Sequence, residues 1–334
     1  MMARRSTGKT RMARALWYVK KGAVELRSAP LPAPGPGYAR VRSLFSGISR
    51  GTERLVLLGA VGPSEWERMR APMQEGAFPF PVKYGYAATG IVEAGPANLV
   101  GQAVFALHPH QDYFNAPLDA LIPIPEGLPA RRATLAANME TALNAIWDSG
   151  AGPGDRIVIV GAGVVGLLLA ALAARLPGAI VTAVDIEEQR RPLAAGLGIG
   201  FARPEHAPTD ADVVFHTSAT GAGLDAAVRC AGLEAPIVEL SWYGDRPATV
   251  ELGGAFHSRR LRILSSQVGQ ISPSHRPRWS FRRRLEAALG LLAVPALDAL
   301  VGEEIAFEAA ASRLPKALAA DAPTLAPVIC YPQI

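Results

Sequence analysis

Cysteine is almost absent from this sequence: Cys230 and Cys330 are the only two among 334 residues. Two cysteines are too few for a disulfide framework or a cysteine-rich zinc site. Each lies in an apolar context, Val-Arg-Cys-Ala-Gly and Val-Ile-Cys-Tyr-Pro, which indicates a small buried side chain. We therefore expect a protein of a reducing compartment, the cytoplasm.

Long uninterrupted hydrophobic runs are also missing. The most apolar stretch, residues 157–174, holds three glycines directly after a β-branched run. That arrangement is typical of a buried strand–turn–helix, so no membrane span is expected. The basic opening, MMARRSTGKTRM, lacks the apolar core of a secretory signal. We expect residues 1–11 to form a disordered extension.

Acidic residues are outnumbered, 29 against 34 basic ones, which gives a net charge of +5. Much of the excess lies in the first residues and in HRPRWSFRRR, residues 275–284. We interpret this second cluster as the solvated start of a helix in preference to a site for anionic ligands. No nucleic-acid-binding motif accompanies it, so nucleic acid is not an expected partner.

Turn-rich β patterns fill the first part of the chain, and βαβ patterns fill the second. Short apolar runs cut by Pro and Gly at residues 12–132 indicate a β-rich domain. From residue 133, β-branched runs alternate with helical stretches, which predicts an α/β domain with a doubly wound parallel sheet. Its strands are expected at 156–160, 179–184, 212–216, 236–240 and 261–265, and helices at 164–175, 224–230 and 282–292.

A glycine-rich turn joins the first of these strands to an apolar helix. In this arrangement the first glycine makes a tight turn, the second lets the backbone approach a pyrophosphate, and the third allows close helix–strand packing. The helix N-terminus adds free amide N–H groups for the phosphates. We predict a dinucleotide-binding loop at Gly161, Ala162, Gly163, Val164, Val165 and Gly166.

An acidic residue, Asp185, ends the second strand about 20 positions beyond the loop. A carboxylate there accepts hydrogen bonds from the ribose hydroxyls and repels a 2′-phosphate, which favours NAD. Arg190 and Arg191 follow closely and keep NADP open. The less favoured alternative is a doubly wound sheet whose glycines only pack.

The pattern from Met12 onward resembles the medium-chain dehydrogenase/reductase (alcohol dehydrogenase-like) superfamily. The likeness is carried by ARALWYVKKGAVELRSAPLPAPGPGYARVRSLFSGI, VKYGYAATGIVEAG and PGDRIVIVGAGVVG. It implies a GroES-like catalytic domain at 12–132, a Rossmann domain at 133–271 and a return to the catalytic domain at 272–334. It also implies a cleft between the domains, Thr141 and Trp242 or Tyr243 near the cofactor, and a homodimer.

The zinc ligands of that superfamily are replaced at all three aligned positions. Ser49 stands where zinc-dependent members have cysteine, Tyr86 where they have histidine, and Ala137 where they have cysteine or glutamate. These residues do not provide the three donors that a catalytic zinc needs, so no metal is expected. SGISRGTE with Gly-Tyr is most similar to the branch that includes bacteriochlorophyllide a dehydrogenase, which implies the branch and not the substrate.

Without zinc, another group must handle the substrate proton. Tyr86 is the first candidate, as a neutral donor or with a pKa lowered by cations, and Ser49 and Thr52 could relay the proton. Family analogy places the carboxylates Glu53 and Glu140 near the cleft. Packing is an equal alternative for Tyr86, and a structural acceptor role is favoured for Glu53.

His108-Pro109-His110-Gln111 is a further cluster. Residues i and i+2 of an extended chain face the same side, which would place the two imidazoles together. A surface turn is the first interpretation, and contact with substrate by His108 is the second. A metal site with Glu53 is the least favoured, because no third ligand is specified.

Together these features predict an NAD(P)-dependent alcohol dehydrogenase or reductase that acts without zinc on a bulky small molecule. Basic residues in the second half make an anionic substrate a reasonable hypothesis: Arg259, Arg260, Arg276 and Arg278. The alternative is a non-catalytic NAD(P)H-binding sensor or structural protein of the same fold.

Overall fold

A computed structural model describes residues 10–333 of the chain. Its contacts define two compact units, one made of the residues up to Ala136 and from Val301 onward, the other of Ala137–Leu300. Most of the extension predicted at residues 1–11 lies outside the described residues. Arg11 already belongs to the first strand.

The strands are β1 Arg11–Lys20, β2 Ala23–Leu31, β3 Tyr38–Gly47, β4 Glu75–Gly76, β5 Val82–Lys83, β6 Ala88–Ala94, β7 Ala103–Ala106, β8 Tyr113–Pro117, β9 Ile122–Pro123, β10 Arg156–Val160, β11 Ile180–Val184, β12 Gly200–Ala202, β13 Val213–His216, β14 Pro236–Glu239, β15 Arg262–Ser265, β16 Val301–Ala306 and β17 Ala326–Cys330. The α-helices are α1 Arg50–Leu58, α2 Ala130–Ala133, α3 Ala136–Ser149, α4 Val164–Ala173, α5 Arg191–Gly196, α6 Gly221–Cys230, α7 Phe281–Leu291 and α8 Ala310–Ala317. Between residues 10 and 333, no helix has both the length and the apolar character needed to cross a membrane.

The first unit is built from two sheets. One has the order β2-β1-β5-β4, and the other the order β16-β17-β3-β6-β7-β9 with β8 also paired to β3. Small and branched side chains such as Ala39, Val41 and Val104 form a core beneath the second sheet. β17 pairs antiparallel with β3, and Ile329 lies opposite Ser46, so the last segment of the chain is part of this unit.

The second unit contains six parallel strands in the order β12-β11-β10-β13-β14-β15. The strand that comes first in sequence, β10, lies inside the sheet, and the chain winds outward on both sides of it. The predicted doubly wound sheet is thus confirmed. Ligands of such sheets bind at the carboxyl ends of the strands, where the winding reverses.

The five predicted strands occur within one residue of their expected ends. The three-residue strand β12, Gly-Phe-Ala, was not predicted, because it carries no β-branched run.

Residues 272–300 belong to the second unit. The sequence instead predicts that the chain returns to the catalytic domain at residue 272, whereas in the structure it rejoins the first unit at Val301. Arg284 in α7 explains this. Its side chain is buried, with Nε 2.9 Å from Glu140 Oε1 and Nη1 2.6 Å from Asn144 Oδ1. The basic cluster interpreted as a solvated helix start therefore contains one arginine that fastens α7 to α3.

Candidate active site

The glycine loop has the geometry that its sequence predicts. Gly161 has a φ of +110°, and a Cβ there would lie 2.6 Å from Thr217 Oγ1. At Gly166 a Cβ would lie 1.9 Å from the carbonyl oxygen of Gly161, so only glycine allows α4 to pack so closely. A Cβ at Gly163, by contrast, would meet nothing within 4 Å. This open space above the backbone is what the approach of a pyrophosphate requires.

Asp185 follows β11 and lies against the loop. Its Oδ2 accepts a hydrogen bond from the amide of Ala162 at 2.6 Å, and its Oδ1 accepts one from the amide of Glu187 at 2.8 Å. The carboxylate is therefore held at the carboxyl edge of the sheet, beside the glycine turn. The residues present fit the ribose and pyrophosphate of a dinucleotide.

The other residues predicted to contact the cofactor have mixed surroundings. Arg191 pairs with Glu188 and lies over the ring of Phe201, while Arg190 is half-buried. The hydroxyl of Thr141 donates to the carbonyl of Ala137, 3.1 Å away within α3. Trp242 is half-buried in the segment after β14. Their contacts with a cofactor stay predictions.

Replacing Asp185 by serine should shift the cofactor preference toward NADPH. The change removes the charge that repels a 2′-phosphate, so the ratio of NADPH to NADH affinity should rise at least about tenfold, which corresponds to about 1.4 kcal/mol. Titration of both reduced cofactors by nicotinamide fluorescence measures it. Glu205→Gln, which removes an exposed carboxylate paired with Arg203, is the matched control, and an unchanged ratio in Asp185→Ser would contradict the prediction.

Ser49 begins α1, and its side chain is not used to cap the helix. Its backbone amide is bound instead by Glu53, whose Oε1 lies 2.8 Å from Ser49 N. A glutamate reaching back to the first amide of a helix is the logic of a capping box. The Ser49 hydroxyl is thereby free to interact elsewhere.

It interacts with Tyr86. The Tyr86 side chain is half-buried, and the side chains of Ser49 and Thr52 lie close enough to its phenol to lower the pKa of Tyr86. We call these three residues the hydroxyl cluster. Burial raises the pKa of Tyr86 to about 12; Ser49 and Thr52 lower it in part, and the nearby Glu53 raises it. At neutral pH the phenol therefore carries its proton, as a hydrogen-bond donor must.

Glu53, which follows Thr52 in α1 and bonds the Ser49 amide, is completely buried. Its Oε2 accepts the Tyr18 hydroxyl at 2.7 Å and lies 2.9 Å from His110 Nε2. Both carboxylate oxygens are thus occupied by hydrogen-bond donors, one of them the Ser49 amide. Burial and this contact with Glu53 hold the pKa of Tyr18 well above its ordinary value.

A chain of hydrogen bonds continues from Glu53 into the sheet. His110 Nδ1 lies 2.7 Å from Ser46 Oγ, which lies 2.9 Å from the Tyr331 hydroxyl. A carboxylate only accepts hydrogen bonds, so with Glu53 ionised the His110 Nε2–H donates to it and Nδ1 accepts from Ser46. We call Tyr331, Ser46, His110 and Glu53 the buried chain.

The interpretation of His108 as part of a surface turn was wrong, and its contact with a substrate stays a prediction. His108 is 4% exposed, stacks on Phe114 with ring centroids 3.8 Å apart, and pairs through Nδ1 with the Pro109 carbonyl at 2.8 Å. The backbone turns here, since the His108 amide bonds the carbonyl of Ala106. The i, i+2 rule for extended chains therefore fails, and His110, not His108, reaches Glu53.

His108 should make the first unit sensitive to acid. Burial lowers the pKa of His108 from its ordinary 6.5 to about 3, with smaller lowering effects from Lys83 and His110. Below about pH 6.5 the unfolded chain binds a proton that the folded chain refuses until about pH 3, so stability falls as the pH falls through this window. Between about pH 7 and pH 4 the loss is on the order of 3 kcal/mol.

Urea unfolding of the wild type and of His108→Asn across this pH range tests that account. The asparagine does not titrate, so its free energy of unfolding should vary less with pH by about that amount. The exposed His257 provides the control variant, His257→Asn. Equal pH dependence in wild type and His108→Asn would contradict the prediction.

Glu140 was predicted to act in catalysis, but its contacts indicate a structural role. It is 5% exposed and forms an ion pair with Arg284 at 2.9 Å. Burial raises the pKa of Glu140, and the arginine partly offsets this.

The three positions aligned with zinc ligands carry a serine hydroxyl, a neutral phenol and an alanine methyl group. The nearest carboxylate, Glu53, has both oxygens engaged. Across residues 10–333, no group of three or more His, Cys, Asp or Glu side chains is arranged to hold a metal ion. This donor set does not fit a catalytic zinc.

No protein-family model matches the chain. An uncharacterized zinc-type alcohol dehydrogenase-like protein of Haemophilus influenzae is 43% identical over 89 residues, 27% of this chain and 26% of that protein. D-xylulose reductase A of Aspergillus niger is 29% identical over 150 residues, 42% of either chain. The chain thus matches less than half the length of these curated relatives.

Solved structures match nearly the whole chain. 2R,3R-butanediol dehydrogenase from Bacillus subtilis has a TM-score of 0.77 at 18% identity, covering 96% of this chain and 100% of that one. A Sinorhizobium meliloti 1021 protein assigned as a zinc-binding dehydrogenase and bound to NADP has a TM-score of 0.74 at 20% identity, covering 96% and 99%. At these identities the likeness establishes the fold: the predicted GroES-like and Rossmann domains are confirmed.

Proposed function

We propose that this chain, which has the fold of the medium-chain dehydrogenase/reductase superfamily, is an NAD(P)-dependent oxidoreductase that interconverts an alcohol and a carbonyl compound without a catalytic zinc. The observation that carries the proposal is the glycine loop with its open space above Gly163 and with Asp185 fixed beside it. The curated relatives are named for dehydrogenase and reductase activities and lend no support to the non-catalytic alternative.

A bound nicotinamide would supply or accept the hydride. The loop amides and the N-terminus of α4 would hold the pyrophosphate, and Asp185 would hold the ribose hydroxyls. Asp185 also favours NAD over NADP. The second unit therefore contributes the cofactor site by itself, from residues close together in the sequence.

The first unit contributes the proton. In carbonyl reduction the Tyr86 phenol donates a hydrogen bond to the carbonyl oxygen and then its proton, as that oxygen gains negative charge. Ser49 and Thr52 stabilise the resulting phenolate as hydrogen-bond donors, and the phenolate regains its proton from solvent water. Glu53 acts through Ser49: it fixes the start of α1 and so positions the hydroxyl cluster.

The zinc-independent step rests on chemistry at the aligned positions. Ser49 and Tyr86 are neutral, and Ala137 has no donor atom, whereas a catalytic zinc is held by about three nitrogen, sulfur or carboxylate ligands. The motif SGISRGTE with Gly-Tyr supports the zinc-lacking branch suggested by the sequence. Cytoplasmic location, a homodimer and a bulky or anionic substrate belong to the same proposal.

The test is turnover with metal analysis. Purified protein would be mixed with NADH or NADPH and a panel of ketones, aldehydes and ketoses, neutral and anionic, while the absorbance of the reduced nicotinamide is followed. The names of the relatives place xylulose and acetoin-like compounds in the panel. We expect turnover that survives chelator treatment, with less than about one zinc per ten chains. Activity that requires stoichiometric zinc would refute the zinc-independent step, and no reduced-cofactor binding would refute the function.

A further inference from the structure

A second constellation of reactive side chains lies at the carboxyl edge of the parallel sheet. His216 ends β13 and lies opposite Glu239, the end of β14, in the strand register. Glu239 Oε2 lies 2.6 Å from His216 Nδ1, and Ser218 Oγ lies 2.6 Å from His216 Nε2. A hydroxyl, an imidazole and a carboxylate thus stand in series, the arrangement by which a serine is activated as a nucleophile.

The hydrogen bonds determine where the protons lie. Glu239 also accepts the Ser241 amide at 2.7 Å and the Tyr243 hydroxyl at 3.1 Å. Burial alone would raise the pKa of Glu239, but the bonds from His216 and Ser241 outweigh it and hold the pKa below its usual range. The carboxylate accepts only, so His216 carries its proton on Nδ1 and Nε2 is the acceptor for the Ser218 hydroxyl.

The backbone around Ser218 holds its hydroxyl next to His216. The next residue, Ala219, has a φ of +54°, a left-handed conformation that costs energy for any residue except glycine. A Cβ at Gly223 would lie 2.0 Å from Ser218 Oγ, so a larger residue would push the serine away from His216. Ser218 is half-buried, whereas His216 is completely buried.

The first turn of α6 offers candidate oxyanion donors. Ser218 packs against the first turn of α6, where the Thr220 side chain caps the Gly223 amide. Within the described part of the chain the amides of Gly221 and Ala222 have no hydrogen-bond acceptor. Free N–H groups beside a nucleophile are what stabilises the negative oxygen of a tetrahedral intermediate.

We propose that Ser218, His216 and Glu239 form a Ser-His-Glu catalytic triad that hydrolyses carboxylic esters, an activity separate from hydride transfer. Ser218 Oγ attacks the ester carbonyl carbon while its proton moves to His216 Nε2. The C–O bond to the alcohol breaks, and His216 returns the proton to the departing alkoxide. Water then attacks the acyl-Ser218 ester with His216 as base, which releases the acid and restores the serine.

A fluorophosphonate and p-nitrophenyl acetate are the probes for the full chain. The phosphonate should react with Ser218 Oγ, lose fluoride and add one label per chain, located by mass spectrometry of the peptide. Ser218→Ala should abolish labelling. His216→Gln should slow labelling and acetate release by about 10³- to 10⁴-fold. Gly223→Ala should also suppress labelling, because it displaces the hydroxyl without removing it.

Ser274 provides the matched control. Its hydroxyl lies 2.9 Å from His275 Nδ1, but that pair is exposed, and within residues 10–333 no carboxylate is bonded to the other nitrogen of His275. Ser274→Ala should therefore leave the labelling rate unchanged. Circular dichroism would establish that each variant is folded. Labelling of wild type no faster than of folded Ser218→Ala would overturn the triad, and so would equal loss in Ser274→Ala. Neither outcome bears on NADH turnover, so the oxidoreductase proposal is tested separately.

Discussion

Tyr86→Phe is expected to slow carbonyl reduction by about 10²- to 10⁴-fold, the usual contribution of a positioned acid. Phenylalanine keeps the ring and its edge-to-face contact with Tyr84, whose centroid lies 6.0 Å away, but it has no proton to give. The loss should appear in kcat, while the affinity for NADH stays within about twofold because Tyr86 is not among the residues proposed to bind the cofactor. Steady-state kinetics and a cofactor titration measure the two quantities separately.

The pH profile distinguishes an acid from a packing residue. With a pKa of about 12, the phenol is protonated across the working range, so its contribution to reduction should not change between about pH 6 and pH 10. Alcohol oxidation needs the phenolate, whose fraction rises about tenfold for each pH unit in this range. Wild-type kcat for oxidation should follow that slope, and Tyr86→Phe should lose it.

Tyr84→Phe is the control for the loss of a neighbouring hydroxyl. Tyr84 is buried beside Tyr86, and burial raises its pKa well above the ordinary value, but it is not part of the hydroxyl cluster. It should retain the wild-type rate and slope. If Tyr86→Phe also kept both, Tyr86 would be a packing residue, the alternative that its sequence context leaves open.

The parallel-sheet unit was predictable because its determinants are local. The three glycines recur within six residues, directly after one strand and before one helix, and Asp185 follows the next strand. Alternating β-branched and helical runs were enough to place the strands of the parallel sheet within a residue. Only β12 was not predicted, because three residues are too few to show a β-strand pattern.

The buried chain was not predictable, because its members come from distant parts of the sequence. Tyr331 reaches Ser46 only because β17 pairs with β3 in a register that places Ile329 opposite Ser46. Tyr18 reaches Glu53 from β1. One signal was available for His110: a histidine next to proline, in a turn, is not bound to share the face of His108.

The burial of two polar residues, Arg284 and Glu140, was also not predictable from the sequence. Arg284 lies in a run of arginines that predicts a solvated surface. For Glu140, the family resemblance implies a position near the cleft. In the structure each is the other's buried partner, at 2.9 Å. Removing one partner of a buried ion pair typically lowers the free energy of unfolding by more than an exposed ion pair contributes to it. The local sequence around either residue does not reveal this pairing.

Glu53→Ala is expected to destabilise the first unit by about 3 to 5 kcal/mol, the cost of breaking a buried ion or hydrogen-bonded pair. The alanine leaves the half-buried Ser49 amide and two completely buried donors, the Tyr18 hydroxyl and His110 Nε2, without their acceptor. Glu53→Gln keeps an oxygen and the volume, so about 1 to 2 kcal/mol is expected. Urea unfolding measures the change in the free energy of unfolding for both variants, from the unfolding transition that the substitution shifts.

An exposed carboxylate provides the control for the loss of stability in Glu53→Ala. Glu25 pairs with Arg27 on the surface of the same unit, and Glu25→Ala should change stability by less than about 1 kcal/mol. If Glu53 positions the hydroxyl cluster, a second result is expected from Glu53→Gln, which stays folded. This variant should lower kcat, because the start of α1 is held less firmly. It should keep the pH dependence of alcohol oxidation that Tyr86 sets. A Glu53→Ala protein as stable as Glu25→Ala would show that the buried carboxylate does not hold the hydroxyl cluster in place.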